Sequence, residues 1–149
     1  MIKLVRTDSD NTDFVTLVQQ LDKELAVRDG DEHAFYAQYN GIAAIKHAMV
    51  AYSDGVAVAC GAIKAFDKDS MEVKRMYTIP NARGKGIAAQ VLKALEAWAY
   101  ELGFTSCVLE TGKKQPEAIA LYSKCGYSIT PNYGQYVGID NSVCFKKRF

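Results

Sequence analysis

A short glycine-rich run, Arg83-Gly84-Lys85-Gly86, lies where a strand pattern gives way to a helix pattern. Two closely spaced glycines at a helix start allow the backbone to approach a ligand, because no Cβ stands in the way. The first helical turn points unpaired N–H groups outward, with the positive end of the helix dipole behind them. These features predict an anion site, most naturally for phosphate, to which Arg83 and Lys85 add formal positive charge.

The elements on either side of this run must hold it in place. Residues 71–79 are predicted to form the last strand of an antiparallel meander, and Pro80-Asn81 ends that strand. Residues 85–102 are predicted to form an amphipathic helix, because one helical face carries Ile87, Val91, Leu95, Trp98 and Leu102. The sequence therefore predicts a strand–turn–helix unit whose turn presents the anion site.

A second candidate for chemistry is Tyr122, which lies four residues before the pair Gly126-Tyr127. Pro116 near a first turn and the glycine–aromatic pair after the last one predict a short helix around this tyrosine. A phenol has a pKa of about 10, so it can give a proton to a leaving group and recover one from water. A half-buried tyrosine bonded to a backbone carbonyl is the structural alternative for Tyr122.

The remaining segments complete a mixed α/β chain with a single domain over residues 1–149. A first strand and an amphipathic helix precede a second predicted helix at 33–39, and the Asp54-Gly55 turn joins two strands of the meander. The segment 106–111 is short and apolar, so we predict a buried strand reached by a helical crossover and parallel to 71–79. The order β-α-α-β-β-β-α-β-α-β-β predicts a central mixed, mostly antiparallel sheet with helices on both faces.

Composition excludes several classes of protein. The net charge of +1 argues against a general polyanion binder, so we expect no nucleic-acid partner. No signal-peptide pattern or membrane-spanning apolar run is evident, so we expect no membrane partner and a cytoplasmic location. The histidines lack ligand spacing, which argues against a metal site. Buried reduced thiols are expected, because no Cys-x-x-Cys occurs among Cys60, Cys107, Cys125 and Cys144.

The spacing Arg-x-x-Gly-x-Ala, from Arg83 through Gly86 to Ala88, resembles the acetyl-CoA pyrophosphate loop of the GNAT superfamily of N-acetyltransferases. The run around Tyr122 resembles the second signature of that family, and the order of elements resembles the GNAT fold over nearly the whole chain. The resemblance implies acetyl-CoA as cosubstrate, with no metal. Its implied cofactor-binding residues are Met76, Tyr77, Thr78, Arg83, Gly84, Lys85, Gly86, Ile87, Ala88, Gln115, Ala118 and Lys124. Gln115 departs from the asparagine that many members carry there.

The resemblance also implies catalytic roles. The family's tyrosine at the position of Tyr122 faces the sulfur of CoA, so Tyr122 is expected to protonate the leaving thiolate. Glu72 and Glu110, at strand ends beside the expected cleft, are alternative general bases, and the amine can instead lose its proton to bulk water. No serine or cysteine lies in an activated-nucleophile motif, so we expect direct attack in a ternary complex.

The acceptor is expected between the segment after the first helix and the last loop. His33, Tyr36 and Tyr133 are the expected substrate-binding residues, although a partly exposed histidine is the structural alternative for His33. The tyrosines of these two segments favour a small-molecule primary amine over a protein tail. A homodimer is also expected, because members of the family often dimerise.

Two other interpretations compete with this one. The run Gly84-Lys-Gly-Ile-Ala-Ala89 also fits the dinucleotide fingerprint Gly-x-Gly-x-x-Ala. That fingerprint belongs to the first strand of a doubly wound parallel sheet, whereas a β-meander precedes it here. The second is a non-catalytic acyl-CoA-binding sensor or assembly module on the same fold, against which the tyrosine at position 122 argues.

Overall fold

The computed structural model describes residues 1–30 and 45–149. The second predicted helix, at 33–39, lies outside the described residues. Short 3-10 turns at Pro80–Ala82 and Gly134–Tyr136 interrupt two of the connections. The strands are β1 (Ile2–Thr7), β2 (His47–Ser53), β3 (Val56–Ala65), β4 (Ser70–Thr78), β5 (Ser106–Gly112), β6 (Ser128–Thr130) and β7 (Ser142–Arg148). The helices are α1 (Thr12–Asp29), α2 (Ile87–Glu101) and α3 (Pro116–Lys124).

The strands form one sheet in the order β1-β2-β3-β4-β5-β7-β6. Only β4 and β5 are parallel among the described strands, as the helical crossover α2 requires. Their pairing extends from Ser70 opposite Ser106 to Glu72 opposite Val108. Since β4 continues to Thr78 and β5 to Gly112, a cleft opens between their carboxyl ends. The mixed, mostly antiparallel sheet is confirmed.

A bulge in β4 lies beside this cleft. The register of β4 against β3 shifts by one residue opposite Gly61, and Arg75 has a left-handed φ of 60°. Such a conformation costs an L-residue about 1–2 kcal/mol. The extra residue bends the strand and ends its regular pairing. Gly61 is needed at this point, because a Cβ there would lie 2.5 Å from the sulfur of Met76.

Helices pack on both faces of the sheet, as predicted. Alternation along β2 turns Ala48 and Val50 toward one face and Met49 and Ala51 toward the other. The first pair packs with the apolar stripe of α1, formed by Phe14, Leu17, Val18 and Leu21. The second pair packs with the stripe of α2, formed by Ile87, Val91, Leu92, Leu95 and Ala99. No helix among the described residues is long and apolar enough to span a membrane.

The ends of the helices follow the signals in the sequence. Asn11 caps α1 by accepting a hydrogen bond from the N–H of Phe14 at 2.9 Å. After α3, the N–H of Tyr127 donates to the carbonyl of Tyr122 at 3.0 Å, with Gly126 in the left-handed region between them. This hydrogen bond fixes the end of α3, and therefore also the side of the helix from which the Tyr122 side chain projects.

Candidate active site

An open groove of about 620 Å³ follows the cleft between β4 and α3. Its walls come from α1, the end of β4, the turn at 83–86, the start of α2 and one side of α3. Every predicted cofactor-binding residue except Lys85 lines it: Met76, Tyr77, Thr78, Arg83, Gly84, Gly86, Ile87, Ala88, Gln115, Ala118 and Lys124. The structure therefore brings together two stretches that are more than 25 residues apart in the chain.

The turn before α2 has the geometry of an anion site. Gly84 and Gly86 have φ values of 79° and 78°, and no atom of the described residues lies within 4 Å of the place where a Cβ would stand on either. The first bond of α2 runs from the N–H of Gln90 to the carbonyl of Gly86. The N–H groups of the first turn therefore have no helical acceptor. An open space above such a turn suits a phosphate group.

The two basic side chains of the turn take different directions, since Arg83 lines the groove and Lys85 does not. Arg83 donates from Nε to the carbonyl of Thr78 and from Nη2 to Glu24, both at 2.8 Å. The hydrogen bond to Glu24 raises the pKa of Arg83. Lys85 lines a neighbouring cavity of about 360 Å³, together with Ile2. The anion site is thus formed mainly by backbone.

The end of β4 offers further backbone donors. The N–H of Ile79 donates to the carbonyl of Val58 on β3 at 2.9 Å. Because successive N–H groups of a strand point to opposite edges, those of Thr78 and Met76 face away from β3 and toward the groove. Both residues lie beyond Glu72, where the pairing of β4 with β5 ends, so none of the described strands pairs with them on that edge. This is the place where an amide-rich ligand arm can pair with the edge of β4.

Tyr122 lies where the groove meets a second cavity. Its side chain is buried, with 6% exposure, and its ring packs against Tyr127 and Phe145 at centroid distances of 6.0 and 5.9 Å. Burial, and secondarily the charge of Glu110, raises the pKa of Tyr122 above its ordinary value. The phenol is therefore protonated at neutral pH, as a proton donor must be.

The second cavity holds about 110 Å³ and lies beyond Tyr122, between β4 and β5. It shares Met76, Gln115, Ala118 and Tyr122 with the groove. Its polar and aromatic walls are formed by Glu72, Lys74, Arg75, Glu110, Thr111 and Tyr136. Both predicted general bases thus lie in one cavity next to the predicted acid.

The two carboxylates have different surroundings. Glu72 is buried and accepts a hydrogen bond from the hydroxyl of Tyr133 at 2.8 Å, with the amine of Lys74 at 3.7 Å. Glu110 acts on the phenols on either side of the cavity: after burial, its charge is the next cause of the raised pKa of both Tyr122 and Tyr136. Glu110 is therefore close to the acid, whereas Glu72 is tied to the last loop.

The loop between β6 and β7 is fixed over this cavity. The ring centroid of Tyr133 lies 4.7 Å from that of Phe66 and 5.8 Å from that of Tyr136. The side-chain nitrogen of Asn132 lies 3.1 to 3.2 Å from three carbonyl oxygens: those of Tyr136 and Ile139 in the same loop and that of Ser142, the first residue of β7. Tyr133, predicted to bind substrate, is not among the residues that line the cavity, but it contacts two that are, through its hydroxyl on Glu72 and its ring against Tyr136. The other two predicted substrate residues, His33 and Tyr36, lie outside the described residues.

Some residues of the site were not identified from the sequence. Arg75 lines the small cavity because of the bulge in β4, which strand alternation does not reveal. Leu21 and Leu25 of α1 line both cavities, although their helical spacing predicts only core packing. Cys125 was expected to be buried like the other three cysteines, but it is half-buried and lines the groove. Within residues 1–30 and 45–149, no group of three potential metal ligands is found.

Comparison with known proteins assigns this geometry to a family. A sequence profile described as "Acetyltransferase (GNAT) family" matches residues 12–127. An IAA acetyltransferase from Azospirillum brasilense is 41% identical over 90 residues, 59% of this chain and 58% of that protein. The uncharacterized N-acetyltransferase YjgM of Escherichia coli is 33% identical over 108 residues, 72% of this chain and 58% of that protein. The chain thus spans less than two thirds of these two relatives.

Solved structures share the fold over its full length. A structure from Klebsiella pneumoniae that carries the name acyl-CoA N-acyltransferase is 28% identical, with a TM-score of 0.83 over 99% of this chain and 97% of that one. A GNAT acetyltransferase from Elizabethkingia anophelis, solved with acetyl-CoA bound, is 16% identical, with a TM-score of 0.70 over 99% and 98% of the two chains. At that identity the second likeness shows the fold alone.

Proposed function

The chain belongs to the acetyltransferase (GNAT) family, and from that premise we propose that it moves the acetyl group of acetyl-CoA to the primary amine of a small molecule. The transfer is a direct attack in a ternary complex. One observation carries the proposal: the groove that suits CoA and the cavity that holds two carboxylates meet at Tyr122. A cofactor and an acceptor that enter from the two sides would come together beside a protonated phenol.

The cofactor half of the proposal is supported by the family and by the backbone. Homologues in this family bind acetyl-CoA or CoA. In this chain the turn at Gly84 and Gly86 would hold the pyrophosphate, and the free edge of β4 at Met76 and Thr78 would hold the pantetheine. The same N–H groups would polarise the thioester carbonyl, and a pair of such oriented donors is a large source of rate enhancement.

The acceptor half assigns separate roles to the two carboxylates. Glu110 takes a proton from the incoming ammonium, directly or through a water, because its side chain lines the same cavity as Tyr122. Glu72 holds Tyr133, and with it the last loop, in place over the cavity. The small volume beside these residues favours a small amine over a protein tail.

The proton balance of the reaction closes with these groups. The amine nitrogen, once deprotonated by Glu110, forms a bond to the acetyl carbon while the carbon–sulfur bond breaks. Tyr122 gives its proton to the departing sulfur, and the second proton of the attacking nitrogen passes through water to restore the phenol, so the products are the acetamide, the CoA thiol and the one proton held by Glu110. Most of the rate enhancement then comes from positioning and from polarisation of the carbonyl.

The test is turnover against a panel of amines, followed by mass spectrometry of the acetylated product. We expect stoichiometric CoA and acetamide with at least one small primary amine, at a rate above the hydrolysis of acetyl-CoA in buffer. The alternative, an acyl-CoA sensor, binds CoA in calorimetry and turns over none of the panel. Binding without product across small amines, amino acids and peptides alike would favour the sensor.

The homodimer stays a prediction. The cytoplasmic location stays a prediction as well. Exposed apolar side chains at Tyr100, Leu102 and Phe149 lie near the end of α2 and the last strand, with Tyr100 and Phe149 in ring contact at 6.4 Å. An apolar patch of this kind is a common contact surface. Light scattering should give twice the chain mass, and a monomer mass at high concentration would end the prediction.

A further inference from the structure

Four charges of alternating sign cross the mouth of the cofactor groove. Arg83 pairs with Glu24 at 2.8 Å, and Glu24 pairs with Arg28 one helical turn later at 3.2 Å. Arg28 in turn pairs with Glu117 through its other terminal nitrogen. These residues belong to the glycine turn, to α1 and to the first turn of α3, so the ion pairs join three elements around one opening.

The ion pairs lie on the groove itself. Arg83, Glu24 and Glu117 are among its lining residues, whereas Arg28 bridges them from outside the lining. Burial acts to raise the pKa of Glu117, but hydrogen bonds from its own backbone and from Arg28, together with the charges of Arg28 and Arg83, lower it overall. The charges of both arginines thus act on Glu117.

Two carboxylates on the wall of a groove for a polyanion require an explanation. Alone, Glu24 and Glu117 would repel phosphate groups, whereas the two arginines make the set of four neutral. A single exposed ion pair contributes little to stability, so pairs of this kind have small energies and can open readily. The contact of Arg28 with Glu117 joins α1 to the first turn of α3 beside this groove, so a linear ligand that fills the groove lies next to it.

We propose that Glu24 and Arg28 are positioning residues for the cofactor. With Arg83 and Glu117 they form a strap that opens to admit acyl-CoA and closes again over its pantetheine arm. The inference rests on the proposed function, because it takes the groove to be the acyl-CoA site. A strap of this kind slows entry and exit of the ligand alike, and it leaves the equilibrium affinity nearly unchanged, because the ion pairs are made both with and without ligand.

The experiment measures the association and dissociation rates of CoA on the immobilised full chain by surface plasmon resonance. In Arg28→Gln and in Glu117→Gln we expect both rates to rise by about 3- to 10-fold, the range that one or two weak ion pairs allow, while Kd stays within about twofold. Arg28→Lys keeps the charge but loses the guanidinium fork that reaches Glu24 and Glu117 through separate nitrogens, so its rates should lie between those of wild type and Arg28→Gln. Arg6→Gln is the matched control, because it breaks the surface ion pair with Glu101 that no groove residue shares.

The possible outcomes distinguish the proposed strap from the proposed CoA site. If wild type binds CoA and both glutamine variants leave both rates unchanged, the strap is wrong while the proposed function stands. A rise in the dissociation rate alone, with a matching loss of affinity, would make Arg28 a direct ligand of CoA and also overturns the strap. No CoA binding by wild type overturns the proposed site and the strap together. Should Arg28→Gln fail to fold, the more exposed Glu117→Gln decides by the same criteria.

Discussion

The cofactor groove and the acceptor cavity are built by different means. The groove takes its candidate ligand groups from the backbone: the N–H groups before α2 and the free edge of β4 past its bulge. The acceptor cavity is built from side chains of separate elements, with Glu72 on β4, Glu110 on β5 and Tyr136 on the last loop. The two regions meet at Tyr122, which contributes to both.

Because of this difference, mutations should impair the two regions in different ways. Backbone groups cannot be removed by mutation, so the groove is damaged by side chains that occupy its space or alter its dihedral angles. The cavity is damaged by removing a single charge or hydroxyl without changing the shape. We therefore expect substitutions in the groove to act on CoA affinity, and substitutions in the cavity to act on the catalytic rate.

The largest effect is expected at Gly86. Gly86→Val places a branched side chain in the open space above the turn and forces a left-handed φ of 78° on a residue that resists it. We expect calorimetry to show a loss of CoA affinity of more than about 100-fold, since phosphate contacts at a helix N-terminus would be lost.

Gly103→Val is the matched control for that substitution. Gly103 has a φ of 95° and an equally open Cβ position, but it follows the far end of α2. Both variants should lose about 1–2 kcal/mol of stability from the left-handed conformation. Only Gly86→Val should lose CoA binding, and equal affinities in the two folded variants would remove the site from this turn.

The groove could be predicted from the sequence because its determinants are local. Gly84 and Gly86 adopt their positive φ values within four residues of the helix that they precede, and Tyr122 is fixed by the helix end at Gly126. Such features depend on the conformation of a few consecutive residues, and that conformation can be inferred from the residue types. The direction of the long side chains of Arg83 and Lys85 could not be predicted in this way, because it depends on distant partners such as Glu24.

The acceptor cavity could be predicted only in outline. The hydrogen bond between Tyr133 and Glu72 joins residues 61 positions apart, and no spacing rule indicates it. The position of Arg75 depends on a bulge that breaks strand alternation. Both glutamates were candidates for the general base, but what distinguishes them is which tyrosine each one faces. That information arises only when β4, β5 and the last loop come together.

The second effect concerns those two glutamates. Glu110→Gln keeps the shape of the side chain and removes its charge, so kcat should fall by about 30- to 100-fold, below the usual range for a general base because water partly substitutes. Glu72→Gln should lower kcat by less than about fivefold, since it only weakens the bond that Tyr133 donates. Steady-state kinetics with saturating acetyl-CoA measures both, and the reverse ranking would make Glu72 the base.

The smallest effect is in the pH dependence. Burial and Glu110 raise the pKa of Tyr122, so the folded chain keeps this proton above pH 10, where an unfolded tyrosine loses it. The stabilisation is complete below about pH 10 and is lost as the pH rises beyond it. We expect kcat to show no alkaline decline up to about pH 10 and urea unfolding to become easier above it. A decline in kcat centred near pH 9 would contradict the assignment.

The most direct test of the account is the Tyr122→Phe variant, because Tyr122 is where the two regions meet. The change removes one hydroxyl and almost no volume, and the ring contacts with Tyr127 and Phe145 can persist. Steady-state kinetics on an accepted amine should show kcat lower by about 10- to 1,000-fold, around or somewhat below the usual contribution of a positioned acid. CoA affinity and the unfolding midpoint, measured in parallel, should stay near the wild-type values. An unchanged kcat, with product release shown not to limit the rate, would mean that the proton comes from elsewhere and that Tyr122 is a structural tyrosine.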